Sequence, residues 1–408
     1  MFRIKQPTIE QIIVFLFAIL PIVDSLNGIL ITKGLPSIGI VYKMFVLGLL
    51  FVFTLRKGSI PKSVILCSLL SILYILFCIG ANVLILSGKL ISTDYPIKLI
   101  FNILTFAMLI NCIHAGYING DSLYRILNIN TWFIIIMILI PYVLGLGNTI
   151  YSSGLGYKAF FYSNNELSAS LLVLFYFALF RLRKKLGIAE ICQLLGVALC
   201  VLLLNTKSGI IACLVGGALF ILEYMLHKES KCRGLVLLAI CAGLYIAKDF
   251  IWEQVAGFLS RQDYLSRLYD GSFIDILLSG RTVFMKDAWH DMAQGSAFWF
   301  RFLFGNGFCS KHLVEMDFID IFFYLGAFGV LLLTIFLCAV FIKSHKNFKT
   351  DGTLMRPCGF WMIVGFAFLA GHVFFMATAG CYFILVCCFN LTYSTQNCNI
   401  IQRRTEQL

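Results

Sequence analysis

Lys311–Leu333 reads KHLVEMDFIDIFFYLGAFGVLLL. Its second half is an apolar run that holds Gly326 and Gly329. Its first half sets Lys311, His312, Glu315, Asp317 and Asp320 at the mouth of that run. As a helix, the run and its continuation TIFLCAVFI are long enough to cross a hydrocarbon layer of ~30 Å, which takes about 20 residues. Runs of this kind recur along the whole chain. Of its 408 residues 60% are apolar and 13% charged, and the mean hydropathy is +0.91. A soluble domain has roughly 45–50% apolar and about 25% charged residues. The chain therefore reads as an all-α, polytopic integral membrane protein. Within lipid every backbone polar group needs a partner inside its own segment, which favours helices. Barrel strands would alternate polar and apolar residues, and IIVFLFAIL and FGVLLLTIFL do not.

The apolar periods predict about twelve transmembrane helices: 9–31, 37–55, 63–86, 96–114, 126–146, 165–181, 188–205, 208–226, 234–251, 318–342, 358–377 and 380–396. The first is read as a retained helix that serves as its own insertion signal, because Pro21, Asp24 and Asn27 stand where a small-x-small cleavage site would be. Basic clusters at 56–62, 181–185, 227–233 and 343–349 and at both termini fall on one side under this assignment. By the positive-inside rule that side is cytoplasmic, so both termini are expected there. The same distribution argues against nucleic acid as the partner of a chain with net charge +12. The fifteen cysteines show no C-x-x-C pair and no zinc spacing. They read as small apolar residues, so no metal and no cofactor are expected.

The remaining segment, 252–317, lies between helices nine and ten. It is too polar to span and too long for a turn, and connections of that length are usually functional. It is expected to be an extracytoplasmic loop with short amphipathic helices, in FIDILLSGRTVFMKDAWHDM and in the aromatic AFWFRFLFGNGF. The latter suits the membrane surface, with Trp299 and Phe302 at headgroup level. The chain otherwise reads as one transmembrane domain over 1–408.

The chemistry-bearing residues gather at the expected outer end. In a helix starting near Asp317, residues Asp317, Asp320 and Tyr324 share a face. Acids favour a helix start, but that leaves Asp320, one turn inside. An acid in a spanning helix costs roughly 2.5–3.5 kcal/mol and by default marks function. Gly326 and Gly329 would let another helix approach closely. The cations on this side are Lys158, Lys207, Arg281, Arg261, Arg267, Arg301 and Lys311, with His312. Most such residues only snorkel, but Lys207 stands in a turn of very few residues beside Thr206 and Ser208. Pro21, Asp24 and Asn27 read either as a polar helix end or as a cavity wall or coupling-ion site. His372, in AGHVFFMA, reads as a packing histidine.

FFYSNNELS with Asn165, the NTKSGI turn, LSGRTVFMKDAW, FGNGF and the polar pair before Gly326-x-x-Gly329 together resemble, in order, the O-antigen ligase and polymerase superfamily, which includes Wzy-type polysaccharide polymerases. The resemblance covers about 150–335. In the ligases a histidine stands eleven residues before the first glycine; here that residue is Glu315, which favours a polymerase. The resemblance implies a metal-independent glycosyl transfer at the bacterial plasma membrane. The donor is a glycan on undecaprenyl diphosphate, and the acceptor a hydroxyl of a new lipid-linked repeat unit. It implies that Arg281, Lys158 and Lys207 hold the diphosphate. Glu315 takes the acceptor's proton, with Asp317 in reserve, and Asn165, His312 and Asp320 bind substrate. Its expected partners are the lipid-linked glycans, the bilayer, a chain-length regulator and a flippase. Two alternatives stay open: a ligase, which makes one transfer per acceptor, and a flippase or other transporter, which two related halves and midplane charges would favour.

Overall fold

The computed structural model describes residues 7–57, 61–85, 90, 93–150, 156–226, 248–249, 252, 278, 280–293, 297–309, 314–351, 353–371 and 373–405. The helix expected at 234–251 lies almost entirely outside the described residues. So do Arg261, Arg267, Lys311, His312 and His372.

The described chain is helical apart from one small hairpin. The helices are α1 (Ile9–Ala18), α2 (Leu20–Thr32), α3 (Ile38–Lys57), α4 (Lys62–Gly80), α5 (Asp94–His114), α6 (Gly120–Val143), α7 (Asn164–Lys184), α8 (Ile188–Leu204) and α9 (Lys207–Leu226). Then come α10 (Arg281–Ala293), α11 (Phe298–Phe304), α12 (Asp317–Asp351), α13 (Met355–Leu369) and α14 (Ala377–Thr405). Strands β1 (Asn148–Thr149) and β2 (Tyr157–Ala159) pair antiparallel between α6 and α7. Among the described residues seven helices are long and apolar enough to cross a membrane, or eight if the bent pair α1–α2 is one span. Three shorter apolar stretches, Ile188–Leu204, Met355–Leu369 and Ala377–Thr392, stand beside them. The chain is a multi-pass membrane protein. Among the described residues of 252–317 lie the short helices α10 and α11.

Local chemistry sets the boundaries. The first helix breaks by 41° between α1 and α2, with Pro21 in the first turn of α2. Proline has no N–H, so it interrupts the ladder, and Tyr42 of α3 donates its hydroxyl to the Leu16 carbonyl at the bend. The helix expected at 126–146 starts earlier, at Gly120, because Asn119 and Ser122 form a reciprocal cap. It stops short of 146 as the chain turns at Gly145, φ +67°. The helix expected to run to 377 ends at Leu369, and Gly371 (φ +64°) turns the chain away.

α7 is the hub. It is 89% buried over its most apolar stretch, whereas α4 is 17% buried and lies at the periphery. Around α7 pack α6, α8, α9, α13 and α14. Ion pairs pin one end of the bundle. Arg125 meets Glu10 at 3.4 Å, Arg181 meets Glu190 at 2.6 Å and Arg183 meets Glu223 at 3.2 Å. Arg181 also donates to Tyr124, Asn128 and Gln193. Arg181 and Arg183 belong to the basic cluster at 181–185. Arg181 and Glu190 are both about nine-tenths buried, so removing one leaves the other charge uncompensated. Arg181→Ala is expected to cost about 3–5 kcal/mol, read as a lowered unfolding midpoint of the purified protein. A drop no larger than that of an exposed lysine substitution would refute it.

Candidate functional site

The opposite end holds Arg281, Glu315, Asp317 and Asp320. α12 starts at Asp317 and carries Asp320 one turn in, and both are 1% exposed. Their burial is offset by charge-assisted hydrogen bonds. The Oδ2 of Asp317 accepts from the backbone N–H groups of Val373 and Phe374 at 2.6 and 2.8 Å. Asp320 accepts from Val314 N–H at 2.8 Å and from Met316 N–H at 3.0 Å, one on each oxygen. Asp317 thus ties the turn between α13 and α14 to α12, and Asp320 folds residues 314–316 back over the helix start.

Glu315 sits between these two anchors. It has φ +64°, a left-handed conformation that costs a residue with a Cβ. The two Asp320 bonds on either side hold it there. Its carbonyl lies so close to Gly371 that a Cβ on that glycine would come to 2.2 Å. The side chain is left half-exposed.

Arg281, the first residue of α10, meets Glu315 with Nη2 to Oε2 at 3.4 Å. Its other contacts are the carbonyls of Leu369 at 3.0 Å and Ala370 at 3.3 Å. Arg281 is 14% exposed and Glu315 45%. The buried cation is therefore fixed by the end of α13, while the carboxylate opens to solvent. Arg281 Nε is buried without a hydrogen-bond partner among the described residues. Tyr95, near the start of α5, completes the floor. It stacks over Tyr324 at 6.4 Å and feels the charges of Asp320 and Glu315. Beside it Lys98 lies 3.9 Å from Asp94.

Along α10 runs an apolar groove of about 840 Å³, lined by Met285, Trp289, Phe318, Ile319, Phe322 and Phe368, with Lys286 and His290 also on its wall. Arg281 heads the same helix. The groove and the ion pair are thus neighbours through α10 and the first turns of α12.

Of the other predicted cations, Arg301 lies on α11 and donates to the Asp291 carbonyl at 3.3 Å, while Lys158 and Lys207 stand near the start of α7. Lys158 on β2 donates to the Tyr162 carbonyl at 2.8 Å, and partial burial lowers its ammonium pKa from the ordinary lysine value. Asn165 is half-buried in the first turn of α7, behind the Ser163 cap. Lys207, also half-buried, opens α9. Its turn is held to α7 by the Thr206–Ser168 hydroxyl bond at 2.7 Å and follows Asn205, the left-handed cap of α8.

Gly326 admits a neighbouring helix, since a Cβ there would meet the Leu303 carbonyl oxygen of α11 at 2.2 Å, and it also breaks its own. Gly326 has φ +69° and ψ −172° and breaks α12. The freed carbonyls find donors. Asn306 N–H bonds Phe323 at 2.7 Å, Gly307 N–H bonds Tyr324 at 2.9 Å and the Tyr74 hydroxyl bonds Leu325 at 2.6 Å. FGNGF is the chain that fills the break.

Sequence reasoning missed Tyr95 and Lys43. Lys43 lies five residues into α3, in the apolar run GIVYKMFVLG. It is bound to Asp24 at 2.7 Å and to the Thr378 hydroxyl at 2.7 Å. A lysine inside a spanning run was the available signal. The sequence matches no protein-family model and no curated protein.

Proposed function

We propose that this chain is a Wzy-type polysaccharide polymerase that joins undecaprenyl-diphosphate-linked repeat units at the outer face of a bacterial plasma membrane. The observation that carries the reading is the Arg281–Glu315 pair: opposite charges 34 residues apart in sequence, in contact at the end of the bundle away from Arg181 and Arg183. In this reading Glu315 takes the proton of the acceptor hydroxyl. The hydroxyl oxygen bonds to the anomeric carbon as the bond from that carbon to the diphosphate oxygen breaks. Arg281 offsets the charge left on the departing diphosphate, and the apolar groove along α10 takes part of its polyprenyl tail. Asp317 and Asp320 then act as positioning residues, since their hydrogen bonds fix the backbone on both sides of Glu315. Lys158, Asn165 and Lys207 attract the anionic head of the second lipid-linked unit. The basic end faces the cytoplasm, with both chain termini. A chain-length regulator and a flippase are its proposed partners.

A second reading, a lipid-linked oligosaccharide transporter, draws on two observations. The first helix is bent at Pro21, and Asp24 is buried against Lys43 inside the span. Both features recur in transporters. One comparison separates the readings: the size distribution of lipid-linked glycan in cells lacking the gene and in the same cells with it restored. A polymerase restores a ladder of chain lengths. A ligase restores transfer without changing the ladder, and a transporter restores outward movement of single units.

A further inference from the structure

Four aromatic rings from four parts of the chain form one stack at the end of the bundle that holds Glu315. The ring of Phe308 lies parallel to that of Tyr324 at 4.5 Å, and Tyr324 to Tyr95 at 6.4 Å, with interplanar angles of 20° and 22°. Phe375 stands edge-on to Phe308, Tyr324 and Tyr95, at 6.4, 6.0 and 6.1 Å. Phe308, Tyr324 and Phe375 are buried, and of the four rings only that of Tyr95 is half-buried. The stack therefore ends at the surface on Tyr95.

Buried rings in contact are ordinary core packing. Two features go beyond that. Phe308 holds φ +64°, a left-handed conformation that is an outlier for a bulky residue and that clusters at functional sites. The strained backbone delivers its ring under Tyr324. The second feature is the company of the outer ring. Tyr95 has Asp94 beside it in sequence, and the ammonium of Lys98, one turn on, lies 5.8 Å from its centroid. A ring with charged side chains around it is not the apolar lid that a core needs.

The chain also places this ring by the site. Asn102, two turns along α5, donates to the carbonyls of Phe374 and Met376 at 2.8 and 3.1 Å. Asp317 accepts from Val373 and Phe374 in the same turn, and the Glu315 carbonyl lies against Gly371 at its start. Tyr95 and Glu315 are thus both anchored to the turn between α13 and α14. Tyr324 stands one turn after Asp320, whose carboxylate holds the backbone on both sides of Glu315.

We propose that the Tyr95 ring is the stacking face for the sugar that carries the attacking hydroxyl, a pyranose of the acceptor repeat unit; the identity of that acceptor rests on the polymerase reading. A pyranose is apolar on a face where its C–H bonds point and polar around its rim. The C–H face covers the ring, while rim hydroxyls accept from Lys98 and donate to Glu315. A general base acts only within hydrogen-bond reach of its proton, and a sugar laid on a ring fixed from beneath is presented in that geometry.

The test reads binding, not turnover. The full-length protein in detergent micelles is offered equal amounts of bare undecaprenyl diphosphate and of the same lipid carrying a glucose–galactose disaccharide, and native mass spectrometry gives the ratio of the two bound forms. The wild type is expected to favour the glycosylated lipid about tenfold, the worth of ~60 Å² of apolar contact between sugar and ring. Tyr95→Phe keeps the ring and should keep the preference. Tyr95→Leu keeps apolar bulk at a half-buried position but should lose the preference. Binding of the bare lipid should be unchanged in both variants, which a merely structural ring would not allow. A wild type without preference would overturn the assignment, and needs no variant to fold. So would a preference that survives in Tyr95→Leu or disappears in Tyr95→Phe. A protein that shows the preference but builds no ladder would sink the polymerase and leave Tyr95 as a sugar-binding face.

Discussion

Glu315→Gln is expected to slow glycan lengthening by about 10²–10⁴-fold, the usual worth of a positioned general base. The substitution keeps size and hydrogen-bonding capacity but not basicity. Glu315 is half-exposed, and its unusual backbone is held by Asp320 rather than by its own carboxylate, so the variant should fold. Arg281→Ala is expected to cost about 10²–10³-fold through lost stabilisation of the leaving diphosphate. It also strips donors from the carbonyls of Leu369 and Ala370, so its unfolding midpoint should fall where that of Glu315→Gln does not. Both variants are assayed as membranes supplied with lipid-linked repeat units, reading product length against time. Normal lengthening by Glu315→Gln would remove the base from the proposed mechanism.

Gly326→Ala is expected to destabilise the protein by more than about 4 kcal/mol, beyond the range of ordinary substitutions. The backbone at Gly326 (φ +69°, ψ −172°) lies in a region open essentially to glycine alone. Space is denied as well: a Cβ there would come to 2.2 Å from the Leu303 carbonyl oxygen and 2.4 Å from Phe304 N. These are backbone atoms and cannot swing aside. The clash is mutual, since a Cβ on Gly305 (φ +76°) would meet the Tyr324 carbonyl at 2.3 Å in the same way. Gly365 supplies the control. It lies inside α13 with nothing within 4 Å of a Cβ, so Gly365→Ala should change stability by no more than about 1 kcal/mol, in the favourable direction. Equal unfolding midpoints for the two alanine variants would show that the break in α12 is not fixed by Gly326.

The helical fold was legible because lipid leaves few alternatives for runs such as IIVFLFAIL. Pro21 stands at the bend in the first helix, where a missing N–H acts locally. Gly326 announced a close approach but not the break in its own helix, because glycine is common in spanning helices and only the distant FGNGF segment shows why the chain breaks there. The roles of Asp317 and Asp320 divide the same way. Asp320 bonds Val314 and Met316, within six residues, whereas the partners of Asp317 stand 56 and 57 residues further on. Sequence spacing placed both acids on one face but could not say what that face meets. Arg281 and Glu315 were paired through a resemblance, and their contact rests on α10 and the end of α13 folding against residues 314–316. Lys43 was hidden by the opposite effect, one charge lost in a long apolar run while Asp24 drew the eye.

The proposed function requires that the Arg281–Glu315 end of this molecule make glycosidic bonds between lipid-linked units. That is checked by incubating the purified protein, reconstituted in vesicles, with a chemically defined undecaprenyl-diphosphate-linked repeat unit and sizing the lipid-linked products. The expected outcome is a ladder of increasing length with free undecaprenyl diphosphate released at each step, and its loss in Glu315→Gln. Single units that only change leaflets, with no new bond and no released diphosphate, would refute the polymerase.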